Sequence, residues 1–142
     1  MNKILVEVSV GELLDKLSIL EIKKIRIKDS SKLDFINEEY DILKNQFEKN
    51  VKIDDKLNDL FKELKDINNK LWDIENEKRL CEKNSDFGDV FIKTSRDIHF
   101  LNDKRGNIKL EINNHTGSKI KEIKEYTGYY KLYFFSKNLI KL

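Results

Sequence analysis

Only four of the 28 basic residues are arginines, Arg26, Arg79, Arg96 and Arg105, in a chain that otherwise carries its positive charge on lysine. A guanidinium grips a carboxylate or phosphate through two parallel N–H donors in one plane, which an ammonium does not. Arg105 is the sharpest case. Laid out at about 100° per residue, Phe91, Ile98, Leu101, Ile108 and Ile112 form one apolar stripe. Arg105 falls near its middle, and Asn102 and Lys109 share that face. A charge so placed needs a carboxylate partner, a path to water or a bound anion, because burying it alone is prohibitively unfavourable. Gly106 stands beside it and costs roughly 1 kcal/mol in a helix interior, which predicts a close approach to the backbone there.

Two other segments bring charge to comparable positions. Around "VGELLDKLSILEIKKIR", Glu12, Lys16, Ile19, Lys23 and Arg26 form a ridge, with Asp15 at its edge. Leu13, Leu17 and Leu20 lie on one flank of that ridge and Leu14, Ile22 and Ile25 on the other. A helix apolar on both flanks expects a neighbour on each. Farther along, Asn68, Trp72, Glu75 and Arg79 share a side, and Glu75 precedes Arg79 by four residues in the order that favours an ion pair. The candidate polar cluster is therefore Glu12, Asp15, Lys16, Lys23, Arg26, Trp72, Glu75, Arg79, Asn102, Arg105 and Lys109. Its chemistry would be recognition of a small anion by the cations, with Glu12, Asp15 and Glu75 orienting them or acting as acid or base. The competing reading is a set of internal ion pairs that fix helix register.

The elements that must position these residues are helices. The 142 residues suit a single domain. There is no proline to interrupt a helix, and interspersed charge makes up 38% of the chain, as on the outer faces of long helices. "ILVEVSV" (4–10) is a short extended segment, and Ser9 with Glu12 has the form of a capping box. Leu33, Ile36, Tyr40, Leu43 and Phe47 repeat at heptad spacing, and so do Leu57, Leu60, Leu64, Ile67, Leu71 and Ile74. Two such segments joined by a short polar turn predict an antiparallel, coiled-coil-like hairpin. The expected fold is all-α, a bundle around that hairpin, with helices over about 10–28, 31–49, 54–82, 89–114 and 118–125. Residues 1–126 would form the domain and 127–142 an aromatic extension.

Several function classes lack their signatures. A formal charge of +2 gives no basic footprint for nucleic acid. No apolar run reaches the roughly 20 residues of a membrane span, and the lone Cys81 fits a reducing cytoplasm. No Gly-rich phosphate loop or nucleophile elbow is present. His99 and His115 lack partners at metal-ligand spacing, so no metal or other cofactor is expected. The ExxD pairs Glu12…Asp15 and Glu38…Asp41 have the spacing of helical nucleotide pyrophosphatases, but Glu38 lies on a plain heptad helix.

The segments "VEVSVGELLDKLSILEIKKIRI", "LWDIENEKR", "FGDVFI" and "LNDKRGNIKLEIN" resemble, in order and spacing, a family of small bacterial proteins classed as a domain of unknown function. The resemblance covers about residues 4–126. It implies a helical, cytoplasmic protein, and a genomic setting near glycosyltransferases of surface-polysaccharide synthesis. Positions that match the family's pattern include Glu12, Asp15, Lys16, Glu21, Lys23, Arg26, Trp72, Glu75, Arg79, Asn102, Asp103, Arg105 and Lys109. The functional expectation is binding of a small anionic ligand, a sugar phosphate or nucleotide sugar, with no reaction assigned. The alternative is a non-catalytic scaffold, serving a glycosyltransferase or a second copy of the chain.

Overall fold

The computed structural model describes residues 4–128. Four helices follow one another: α1 (Val10–Arg26), α2 (Ser30–Asn50), α3 (Asp55–Lys83) and α4 (Asp89–Thr116). Three of them open on a side-chain cap, which occupies backbone donors that would otherwise lack partners. Ser9 Oγ accepts from the Glu12 N–H at 3.1 Å, Asp29 Oδ1 from Ser31 at 3.0 Å and Asp54 Oδ1 from Leu57 at 2.9 Å. Gly88 precedes α4 without such a bond. α4 ends at Gly117, whose φ of 67° is left-handed, and the Ser118 N–H closes back on the Asn113 carbonyl at 2.9 Å.

Side-chain registers give the orientation. Gly11 meets Asn113, Glu12 meets Lys109 and Asp15 meets Arg105, so α1 and α4 are antiparallel. Lys56 meets Glu111 and Lys104 meets Glu63, so α3 and α4 are antiparallel as well. The bundle runs up, down, up, down. Its core is Leu14 and Leu17 of α1, Leu57, Leu60, Leu64, Ile67 and Leu71 of α3, and Ile108 and Ile112 of α4. Full burial of each such side chain contributes about 1.5–3 kcal/mol.

Three sequence expectations need correction. The heptads of α2 and α3 do not pair with each other: α1 packs on α2, α3 and α4, α3 packs on α4, and no α2–α3 seam exists. The two apolar flanks of α1 are the cause, since they draw that helix between the other two. Residues 118–125 are not helical but follow Gly117 without regular structure. The left-handed residue ends α4, and Glu122 is held by Lys109 at 3.3 Å, which lays the segment across α4. Finally, no backbone among the described residues approaches Gly106 closely: a methyl there would sit 3.8 Å from Lys124 Nζ, ordinary contact. The close approach is at Gly11, where a Cβ would lie 2.5 Å from the Lys109 carbonyl oxygen. Most of the predicted aromatic extension, 129–142, lies outside the described residues.

Candidate functional site

Asp15 is the centre of the polar cluster. It projects from α1 into the interior and is 2% exposed, a depth at which a carboxylate must be fully partnered. Arg105 of α4 grips it side-on, Nε donating to Oδ1 at 2.9 Å and Nη2 to Oδ2 at 2.5 Å. Asn68 of α3 donates from Nδ2 to the same Oδ1 at 2.9 Å, and also to Ser18 Oγ at 2.7 Å. Three helices are thus tied at one carboxylate. The hydrogen bond with Asp15 raises the Arg105 pKa above its ordinary value; burial works against this, and the charges of Asp15, Glu12 and Glu122 support it. The apolar stripe around Arg105 is observed as expected, with Ile108 and Ile112 buried and Ile98 and Leu101 packed against the core.

Lys109 closes the cluster on the side away from α3. Its Nζ donates to Glu12 at 2.5 Å and to Glu122 at 3.3 Å, and lies 3.9 Å from Asp15. Burial is the largest influence on this ammonium and disfavours its charge. The bond to Glu12 and the fields of three carboxylates outweigh it, and the pKa is raised. With Lys124 Nζ 3.4 Å from Glu122, this half of the cluster sets two ammonium groups against two carboxylates.

The other half is open. A groove of about 340 Å³ lies among α1, α3 and α4, lined by Ile19, Ile22, Asn68, Leu71, Trp72, Glu75, Asn76, Arg79, Asn102 and Arg105. Because Arg105 uses Nε and Nη2 on Asp15, its Nη1 is left, among the described residues, with only a long contact, 3.4 Å, to Asn102 Oδ1. Arg79 is exposed at the rim and has no ion pair among the described residues; the expected Glu75–Arg79 pair does not form. Trp72 is half-buried in the wall, not enclosed in the core.

Of the candidates from sequence, Trp72, Glu75, Arg79, Asn102 and Arg105 come together at this groove. Asp15 lies beneath it, and Glu12 and Lys109 belong to the closed half. Lys16 is exposed, and Lys23 is half-buried without an ion pair among the described residues. Arg26 stands apart, gripping Asp73 and, at 3.3 Å, Asn69 of α3. Arg26, Arg79 and Arg96 are all exposed, so Arg105 alone of the arginines is drawn inward. Sequence reasoning placed Asn68 on the right side of α3 but left it out of the site, and it did not single out Ser18. Their one signal was a polar position inside an apolar face.

Among the described residues, no group of three His, Cys, Asp or Glu could hold a metal ion. His115 instead bonds Asp54, Nε2 lying 2.9 Å from a carboxylate oxygen. No helix among the described residues is long and apolar enough to cross a membrane.

A model for a family of unknown function (DUF6165) matches residues 4–136, reaching ten residues past the boundary at 126 that the resemblance suggested. No curated protein matches, and no solved structure matches.

Proposed function

The chain belongs to that family of unknown function, and from its geometry we propose that it binds a small anionic ligand in the groove between α1, α3 and α4. The observation that carries this reading is that Arg105 has one edge committed to Asp15 and the other turned to a groove that Arg79 also lines. Two guanidinium groups at one concave site suit a phosphate or carboxylate. Trp72 offers an apolar face to the rest of the molecule. We assign the ligand to the sugar phosphates or nucleotide sugars and the setting to cytoplasmic polysaccharide synthesis, both from the family resemblance.

Thermal-shift screening of the wild type and Arg79→Ala against sugar phosphates and nucleotide sugars tests the reading. Ligand at 100 times Kd adds about 2.7 kcal/mol of stability, which the variant should largely lose. If no compound raises the melting temperature of the wild type selectively over the variant, the reading fails.

One observation favours a second reading. The Asp15–Arg105 and Lys109–Glu12–Glu122 contacts are closed ion pairs, as a register device in an interaction module would be. On that view the partner is a protein or a second copy of the chain, and replacing Asp15 and Arg105 together by apolar residues leaves association intact.

A further inference from the structure

The amide of Asn68 is held in one orientation, and the logic of its contacts leaves one atom over. Ser18 Oγ donates to the Asp15 backbone carbonyl at 2.8 Å, so it can only accept from Asn68. Asp15 Oδ1, a carboxylate oxygen, likewise only accepts. The atom of Asn68 that meets both is therefore Nδ2, and Oδ1 has no partner within the described residues. Asn68 is only 5% exposed, yet it lines the groove, and its Oδ1 is not among the buried polar atoms that lack partners. A residue of the groove lining thus carries a fixed acceptor that has no partner among the described residues and is not sealed from solvent.

That acceptor stands next to the groove's cation. Asn68 Nδ2 and Arg105 Nε are each 2.9 Å from the same Asp15 oxygen, so the amide and the guanidinium are neighbours across one atom. Phosphate and carboxylate oxygens are pure acceptors when ionised; they suit Arg105 and are repelled by a carbonyl. The two groups together ask for a ligand with an anionic group and, close to it, a hydrogen-bond donor.

We propose that Asn68 is a specificity-determining residue of the groove: its Oδ1 accepts from a hydroxyl neighbouring the anionic group of the ligand, favouring hydroxylated phosphate esters over bare phosphate. This inference rests on the anion-binding reading above. Leaving a buried acceptor without a partner is what makes a site reject an analogue that lacks the donor. Ser18 and Asp15 act as positioning residues, since they fix which amide atom faces the ligand.

The test is calorimetric titration of the full chain with ribose 5-phosphate, methyl phosphate and inorganic phosphate, in the wild type and in Asn68→Leu. The expected result is about tenfold tighter binding of ribose 5-phosphate than of methyl phosphate by the wild type. Asn68→Leu should lose the preference and bind the two esters equally. If the variant does not fold, the side-chain amide resonances of Asn68 in the wild type decide: they should shift with ribose 5-phosphate and not with methyl phosphate. Equal binding of the two esters by the wild type, or a preference that survives Asn68→Leu, overturns the role of Asn68 and leaves anion binding standing. No binding of any of the three probes overturns both.

Discussion

Substituting alanine at Gly11 and at Gly106 should move stability in opposite directions. At Gly106 a methyl meets only the Lys124 side chain, at 3.8 Å and 3.9 Å, and the residue sits well inside α4. Nothing opposes the intrinsic gain of alanine over glycine in a helix, about 1 kcal/mol. At Gly11 the new Cβ lies 2.5 Å from the Lys109 carbonyl oxygen and 3.0 Å from Asn113 Oδ1. The first obstacle is backbone, which cannot swing aside, so α1 and α4 must part. Overpacking of this kind costs about 1–3 kcal/mol. Separation also weakens the 2.7 Å bond from the Gly11 N–H to Asn113 Oδ1, a further loss of about 1 kcal/mol. The helix-propensity gain of alanine offsets about 1 kcal/mol of this, and a net destabilisation of about 2 kcal/mol remains. Urea denaturation should show the midpoint falling for Gly11→Ala and rising for Gly106→Ala, with unchanged slopes. A wild-type midpoint for Gly11→Ala would refute the tight α1–α4 contact. A lowered one for Gly106→Ala would mean that the backbone there is approached after all.

Arg105→Ala leaves the buried Asp15 carboxylate with the Asn68 amide and Lys109 at 3.9 Å and should cost about 1–3 kcal/mol, whereas replacing both residues by leucine should recover part of that loss; a single-variant cost under about 1 kcal/mol in denaturant would contradict the pairing. Stability should also fall at both extremes of pH. The Leu57 N–H and His115 hold the Asp54 carboxyl below its ordinary 3.8, so its contribution is full above that value and lost as pH falls through the folded pKa; Asp54→Asn should flatten the acid limb of a pH–stability curve. Burial, with the bond to Glu21, pushes the Tyr40 hydroxyl up to about 12. Its contribution is full below the ordinary 10.0 and lost as pH climbs toward 12, and Tyr40→Phe should remove a phenol that ionises near that pH in ultraviolet titration.

Much of the fold was legible because helical periodicity is a strong signal. The stripes of α1, α3 and α4 and the cap at Ser9 are local features that chemistry ties to short stretches of chain. What packs on what was less legible. A heptad says that a face is apolar but not which neighbour covers it, and α2 and α3 looked like partners because they are adjacent in sequence. The two apolar flanks of α1 carried the contrary information, since a helix buried on both sides belongs between others. The candidate site was half legible for the same reason. Arg105 announced itself as a charge in an apolar stripe. Its partner could be any of several carboxylates, and only the register of α1 against α4 selects Asp15. Asn68 gave almost no signal, because a neutral amide at the edge of a heptad reads equally well as surface.

The division of the cluster into a closed and an open half follows from what α1 presents along its length. At 1.5 Å per residue, the 17 residues of α1 span about 25 Å, and the 29 of α3 about 43 Å. The start of α1 is fixed at the far end of α4 by the Gly11–Asn113 bond, so α1 runs out at Arg26, which reaches across to Asp73. Near the start of α1 three helices surround Asp15, Lys109 and Glu12, and the charges meet one another. Farther along, α1 presents Ile19 and Ile22 to the groove and no carboxylate, and Trp72, Glu75 and Arg79 of α3 line it with Asn102 and Arg105 of α4. Arg105 lies between the carboxylates near the start of α1 and the apolar stretch that follows, which is why it has one edge on Asp15 and another at the groove. A residue so placed serves both halves, and substituting it therefore confounds stability with recognition. Arg79 and Asn68 separate them, the first because it is exposed at the rim and the second because ligand chemistry can be varied around it with the protein left intact.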